Sequence, residues 1–457
     1  MTDLYGLIFR GLLYPGWETT LRGRPTLGHL KRLERTQWCS LDELYALQQA
    51  ELDKLLSHAW QHVPHYRRSF QQLGLARGDV RRLEDLNRLP LLTREEANRS
   101  LDARKSSGPP LPDIDKATSG TTGRPLVFAY DRGSEYWRQA TKLRGYAWAG
   151  YQPGDRSLHF WGSPSIAPPP PLRRAKVSLD HALRRERLVD CTDRSEAALS
   201  RLVQLIRKSP PSVLLCYAQA GAALARHVNQ TGARDWPDIP VIAAAERLFP
   251  SDREALQRAF GFNVFETYGN REVMLIAAEC EAHCGMHLSM ENLIVEIVVR
   301  DERGARTAQP GELGEVVVTD LHNYGAPFIR YVTGDLAVKR AAGRCACGRS
   351  LDMLETVEGR STETLRDAEG RPISGLFFNV LFATLADKVN QFQVVQRKDL
   401  AIDLKLVPTA QFDDALLQRI RQHCLAHIPG VPLRIETVSE LAPDPGGKLR
   451  VVVVERS

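Results

Sequence analysis

Thr118-Ser119-Gly120-Thr121-Thr122-Gly123-Arg124-Pro125, followed at once by the β-like run Leu126–Tyr130, is the stretch from which the rest of the chain is read. Four hydroxyl side chains and two glycines stand in these eight residues. Hydroxyls and closely approaching backbone N–H groups are what a polyphosphate needs. Glycine lets the backbone reach the phosphate oxygens with no Cβ in the way. The pattern is not the G-x-x-x-x-G-K-[ST] of a Walker A loop. A solvated Ser/Thr/Gly turn would look much the same in isolation, so the weight falls on the surroundings.

Downstream, Ser157–Trp161, Val213–Tyr217 and Pro240–Ala244 have the pattern of short buried strands. Helical patterns near 134–149, 195–208, 218–231 and 251–260 separate them. That alternation predicts an α/β fold with substantially parallel strands. Such sheets carry ligand loops at the carboxyl ends of their strands. Upstream, residues 41–75 read as helix, with Ser40 and Glu43 placed as a capping box. A second helical stretch ends near Pro90, and Ser106–Pro112 reads as a loop. From about residue 290 the pattern turns β-rich, at Leu293–Val299 and Gly314–Thr319. The last hundred residues predict a separate α+β unit. Its strands fall at Gln391–Gln396, Ala401–Val407, Leu433–Val438 and Leu449–Glu455, with a helix at Asp413–His427. The expected boundary lies near Glu358–Arg360, dividing the chain into 1–358 and 359–457.

With 457 residues the chain should hold two to four domains. Its 43% hydrophobic and 25% charged residues exclude a disordered or fibrous chain. The net charge of +6 is slight for this length and suits anionic small molecules without requiring nucleic acid. The basic cluster Arg173, Arg174, Lys176, Arg184, Arg185 and Arg187 contains no aromatic platform for bases. It reads as a solvated helix face, with a CoA-phosphate or acidic-carrier patch as the sharper alternative. No run approaches the roughly 18 apolar residues of a membrane span. Leu4–Leu13 is broken by Arg10, and Asp3 stands where a signal peptide carries cations. A cytoplasmic protein with no membrane partner and reduced cysteines is expected.

Three further elements follow in order: Tyr268-Gly269-Asn270-Arg271-Glu272, Tyr331-Val332-Thr333-Gly334-Asp335 and Gly446-Gly447-Lys448. With the Thr118 loop they resemble the adenylate-forming (acyl-CoA synthetase) superfamily. Within it the chain is similar to the phenylacetate–CoA ligase and CapK branch. Val63-Pro64-His65-Tyr66-Arg67, Leu89-Pro90-Leu91-Leu92-Thr93, Ala245-Glu246 and Phe392-Gln393-Val394-Val395-Gln396 extend the likeness over nearly the whole chain. The resemblance implies a large N-terminal adenylation domain of mixed sheets and helices, followed by a small mobile C-terminal α+β domain. It implies a ligase that joins a carboxylic acid to ATP, releases pyrophosphate, and passes the acyl group to CoA.

By the same resemblance, Thr118, Ser119, Gly120, Thr121, Thr122 and Gly123 grip the ATP phosphates. Ala245, Glu246, Tyr268 and Gly269 form the adenine site, and Asp335 holds the ribose. Glu272 binds Mg²⁺, and Arg360 stands at the hinge, beside Gly359. Lys448, Glu272 and Thr122 are the implied catalytic residues. An aryl or arylacetic acid is the implied substrate. An amine, a carrier-protein thiol or a sugar remains open as acceptor in place of CoA. Relatives are often homodimers, and nothing in the sequence marks an interface. Arg124 departs from the family's lysine, and Arg360-Ser361-Thr362-Glu363 from its paired aspartates. The proline-rich Gly162–Arg174 falls where relatives build the acyl pocket, and reads equally as a surface loop.

Cys280, His283, Cys284 and His287, with Cys345 and Cys347 some sixty residues later, have the types and spacings of a tetrahedral zinc site. Matching to the phenylacetate–CoA ligase branch selects Cys280, His287, Cys345 and Cys347, with Cys284 and His283 as alternatives. Four protein ligands would make the zinc structural. Cys39, Cys191, Cys216 and Cys424 read as buried small hydrophobes.

Overall fold

The computed structural model describes residues 3–117, 126–162, 171–191, 193–301, 304–360, 364–368, 372–374, 378, 381–382, 385, 388–428, 430–441 and 451–455. Ser40 caps the Leu41–His62 helix: its hydroxyl accepts the Glu43 N–H, and its own N–H donates to Glu43 Oε2 at 2.8 Å. The single helix expected over 41–75 is two. Val63 precedes a proline and takes an extended conformation, and a new helix, Pro64–Gln72, starts with Pro64 in its first turn. The stretch before Pro90 is only a 3₁₀ segment, Leu83–Arg88.

β1 (Ile114–Ala117) and β2 (Val127–Tyr130) pair antiparallel as a hairpin. β3 (Ser157–Trp161), β4 (Glu186–Asp190), β5 (Val213–Tyr217), β6 (Val241–Ala244) and β7 (Val264–Asn270) run parallel in the order β7-β6-β5-β3-β4. β5 and β6 are buried along their whole length. Central parallel strands are covered on both faces, which is why they read as unbroken apolar runs. β4 was not foreseen. It is an edge strand, mostly exposed, with no apolar run to announce it. The Glu196–Lys208, Ala218–Thr231 and Pro250–Phe260 helices supply much of the core against this part of the sheet, with Leu202, Leu224 and Leu256 among its buried residues.

The same sheet continues antiparallel from β7 through β8 (Met274–Glu279), β9 (Met286–Leu288), β10 (Leu293–Asp301), β11 (Gly304–Thr307), β12 (Leu313–Asp320), β13 (Tyr331–Lys339) and β14 (Met353–Arg360). Across this half the order is β7-β8-β9-β14-β13-β12-β10-β11, so the twelve strands form one mixed sheet. β15 (Thr364–Arg366) and β16 (Pro372–Ser374) form a short pair. β17 (Val389–Gln396), β18 (Ile402–Pro408), β19 (Leu433–Thr437) and β20 (Val452–Val454) make a separate four-stranded sheet in the order β19-β18-β17-β20. The Asp414–His427 helix, capped by Asp413, shares a core with it that includes Phe392, Leu404, Ile420 and Val452. The architecture is thus α/β, with a large mixed-sheet body and a smaller sheet domain. Cys191, Cys216 and Cys424 are buried as expected, whereas Cys39 is only half-buried.

Candidate active site

The parallel strands bring several singled-out residues to one edge. Their register aligns Phe160, Cys216, Ala243 and Glu266 across β3, β5, β6 and β7. Trp161, Tyr217, Ala244 and Thr267 therefore form the next row, at the carboxyl ends. The Trp161 and Tyr217 rings lie 4.5 Å apart. Ala245, one step beyond β6, takes a left-handed φ of 68°. Glu246 accepts the Gln219 N–H at 3.1 Å, which holds this turn against the start of the Ala218–Thr231 helix. Arg247 pairs with Glu358 of β14 and so joins the turn to the strand that ends at Arg360. The Arg360 backbone is paired with Asp335, and Gly359 has a φ of 97°.

Tyr268 on β7 and Asp335 on β13 are both buried, and the Tyr268 hydroxyl donates to Asp335 Oδ2 at 2.8 Å. The Asp335 N–H donates to Thr333 Oγ1 at 3.1 Å. Gly269 sits where a Cβ would meet the Met274 carbonyl oxygen at 2.0 Å, so the close return of β8 requires glycine here. Glu272 is buried in the connection between β7 and β8. The Tyr331 hydroxyl donates to its Oε1 at 3.3 Å, and Arg94 Nη1 stands 3.7 Å from the same oxygen. Arg94 opens the Arg94–Arg99 helix, directly after the Leu89–Thr93 motif. That motif is held by Leu92 N–H to Arg330 C=O at 2.9 Å and by Val332 N–H to Leu92 C=O at 3.0 Å.

Residues 118–125 lie outside the described residues, but the hairpin that carries them does not. On one side of its stem, the Ala117 carbonyl accepts from Arg271 at 3.1 Å. On the other, the Val127 N–H donates to Asn98 at 3.0 Å. The Ser/Thr/Gly loop therefore springs from a stem fastened to the residue next to Glu272. Lys448, like Thr118, Ser119, Gly120, Thr121, Thr122 and Gly123, and the Arg360 side chain lie outside the described residues.

The sulfur and imidazole groups meet elsewhere on the sheet. The ligand atoms of Cys280, His287, Cys345 and Cys347 all lie within 4.8 Å of one another. Cys280 follows β8, His287 lies on β9, and Cys345 and Cys347 come from the connection between β13 and β14. Cys280 Sγ is 3.8 Å from Cys345 Sγ, and Cys347 Sγ is 3.3 Å from His287 Nε2. A tetrahedron with ~2.3 Å zinc–sulfur bonds has edges of about 3.8 Å, so the donor set fits that ion. His287 Nδ1 lies 3.4 Å from the Leu351 carbonyl, which leaves Nε2 toward the thiols. Burial lowers the His287 pKa to about 4, keeping the imidazole neutral. Cys284 Sγ lies 3.3 Å from Cys345 Sγ, and His283 pairs with Glu279. Arg349, two residues after Cys347, braces this connection. Its guanidinium lies over the Trp38 and Trp148 rings and bonds to Glu281 at 3.0 Å.

This chain is 25% identical over 372 residues to the phenylacetate–coenzyme A ligase of Thermus thermophilus, covering 79% of this chain and 80% of that one. It is 28% identical over 348 residues to the Escherichia coli enzyme of the same name, covering 73% and 75%. The chain is homologous to the phenylacetate–coenzyme A ligases. No family model matches it. Its fold is also that of a 2-hydroxyisobutyryl-CoA ligase crystallised in the postadenylation state with R3-HIB-AMP, with a TM-score of 0.71 at 19% identity over 92% of each chain. The fold is that of the adenylate-forming enzymes.

Of the residues named from motifs, the described structure brings Ala245, Glu246, Tyr268, Gly269, Glu272 and Asp335 to the junction of β6, β7 and β13. Arg94 and Arg247 were missed, and Arg271 and Tyr331, though they stand inside two of the motifs, had been given no role. No local pattern marks the partner of any of the four, because each acts far along the chain. Glu266, two residues before Tyr268, is pushed up to about 7 by burial and by Glu279, against Arg253. It was also missed.

Proposed function

We propose that the protein is an AMP-forming acid–CoA ligase acting on an aryl or arylacetic acid. The Tyr268–Asp335 hydrogen bond carries this reading. It brings two motifs, from β7 and β13, together near buried Glu272, as a nucleotide site made of both would require. Homology to ligases of that class supports it.

In this mechanism the Tyr268 ring packs on adenine, and its hydroxyl fixes the Asp335 carboxylate for the ribose hydroxyls. The turn at Ala245-Glu246 closes the adenine edge. Glu272, held by Tyr331 and Arg94, presents an oxygen suited to Mg²⁺, which when bound neutralises phosphate charge. The loop from Thr118 to Gly123 supplies hydroxyls and N–H groups to the β- and γ-phosphates. A substrate carboxylate oxygen attacks the α-phosphorus in line, the bond to the bridging oxygen breaks, and pyrophosphate leaves. Lys448 offsets the charge that develops between carboxylate and phosphate. The CoA thiolate then attacks the acyl carbonyl, and AMP departs with the electron pair of the broken acyl–oxygen bond. The Trp161–Tyr217 pair at the carboxyl edge supports an aromatic acid. Cys280, His287, Cys345 and Cys347 would hold a structural zinc, with all four positions taken by protein. The division at residue 358 would separate this body from the C-terminal domain carrying Lys448.

Carboxylate-dependent ATP–pyrophosphate exchange tests the reading across aryl, arylacetic, fatty and amino acids. Exchange with aryl or arylacetic acids, followed by thioester only when CoA is added, is the expected result. Exchange confined to fatty or amino acids overturns the aryl assignment. Exchange without any CoA dependence of acyl transfer overturns the acceptor.

A further inference from the structure

Residues 4–21 wind as α-helix over Leu4–Ile8 and then largely as wider π-helical turns, Phe9–Leu13 and Gly16–Leu21. A π-helix bonds i to i+5, so side chains four or five apart share a face. One such set turns inward: Tyr5, Phe9 and Tyr14 stack in series at 6.0 and 5.5 Å, and Glu18 is buried below them. The other set, Leu4, Ile8, Leu12, Trp17 and Leu21, stands in solvent, with Leu12 69% and Leu21 74% exposed.

The Pro171–Arg184 helix lies alongside. The Tyr5 hydroxyl donates to the Leu183 carbonyl at 2.6 Å, the Arg184 guanidinium lies 5.3 Å from the Tyr14 ring centroid, and Arg185 pairs with Asp3 at 2.6 Å. This helix also exposes leucines, at Leu172 (88%), Leu179 and Leu183, spaced to share one face. Residues 3–24 and 171–187 hold nine Lys and Arg against four Asp and Glu, an excess of +5 in a chain whose whole net charge is +6. The charge of the molecule is thus concentrated where its leucines are exposed.

We propose that this face docks in-plane on a bilayer of anionic phospholipid. Leucines and a tryptophan on one face, rimmed by arginine and lysine, are what an interfacial helix presents to the headgroup boundary. Arg22 already lies over Trp17, 4.6 Å from its ring centroid, where it can reach a phosphate while the indole enters the apolar layer. A second copy of the chain would bring two cationic rims together, whereas anionic lipid complements them. Among the described residues no helix is long and apolar enough to cross a membrane, so the contact is peripheral. The sequence expectation of no membrane partner rests on the lack of a long apolar run, and the exposed apolar residues of these two segments are interrupted by polar ones.

Vesicle flotation of the full-length protein tests this independently of the catalytic reading. The protein should float with vesicles of phosphatidylcholine mixed with phosphatidylglycerol, stay below with phosphatidylcholine alone, and be released by salt. Arg174→Glu and Lys176→Glu should each lower the bound fraction about fivefold or more. Leu12→Glu and Leu179→Glu should abolish flotation while leaving pyrophosphate exchange intact; Leu12→Ser serves if the charged variant fails to fold. No flotation on anionic vesicles at low salt, or equal flotation on both vesicle types, overturns the proposal. So does a dimer in light scattering that Leu12→Glu splits, since a second copy would then occupy the face.

Discussion

Tyr268 and Asp335 stand 67 residues apart and share one hydrogen bond, so each can be tested through the other. Tyr268→Phe keeps the ring and loses the hydroxyl. It should lower kcat/KM for ATP in pyrophosphate exchange by roughly three- to tenfold, the worth of one hydrogen bond. Tyr268→Ala also removes the stacking face and should lose a further ~10-fold or more. Equal losses in the two variants would remove adenine stacking from the account. Glu266 makes a different prediction. Burial and Glu279 hold its folded-state pKa near 7, above the ordinary 4.5, despite Arg253, Arg247 and the Leu248 N–H. The folded protein therefore keeps a proton that the unfolded chain has released. The linked stability, on the order of 3 kcal/mol, is fully present below about pH 4.5 and is lost as pH rises through about 7. Glu266→Gln should melt with a flatter pH dependence over that window, as followed by circular dichroism. An unchanged slope would show that Glu266 does not carry it.

At the scale of elements, the connections do the assembling. The β13–β14 connection meets the β8–β9 turn through Cys345, Cys347, Arg349 and Arg340, whose guanidinium donates to the Cys284 carbonyl. A bound zinc would contribute folding energy there directly. Cys347→Ser should lower the zinc content measured by atomic absorption and the melting temperature together. Full metal occupancy in that variant would transfer the fourth position to another group, Cys284 being nearest to Cys345 at 3.3 Å. The β1–β2 hairpin illustrates the same logic without metal. Its stem is fixed on both sides, by Arg271 and Asn98.

At the scale of the molecule, two sheets with separate cores divide the work proposed for them. Buried Tyr268, Glu272 and Asp335 belong to the twelve-stranded sheet and its connections, while β17–β20 form their own. Lys448 precedes β20 in the sequence, and β20 belongs to the smaller sheet. Lys448→Ala should cut adenylation by about 100-fold or more, as loss of a charge that acts in the transition state does. Thioester formation from a supplied acyl-adenylate should persist, since the role proposed for Lys448 is confined to the adenylation step. Loss of both half-reactions in folded protein, or of neither, would end this assignment.

The amino-acid sequence by itself determined the α/β alternation, the strands β5 and β6, the Ser40 cap, the α+β character of the C-terminal unit and the types of residue at the site. Each of these rests on interactions within one element or on a burial pattern that repeats along it. It also marked four metal-ligand types whose donor atoms the fold gathers within 4.8 Å. Only the tertiary structure decided which partners hold them. Arg94 on Glu272, Arg247 on Glu358 and Arg349 between two tryptophans each join segments far apart in the chain, and an arginine carries no local sign of where its fork will land. Leu4, Ile8, Leu12, Trp17 and Leu21 became one face only once the chain took π-helical turns, because that face depends on residues per turn rather than on composition.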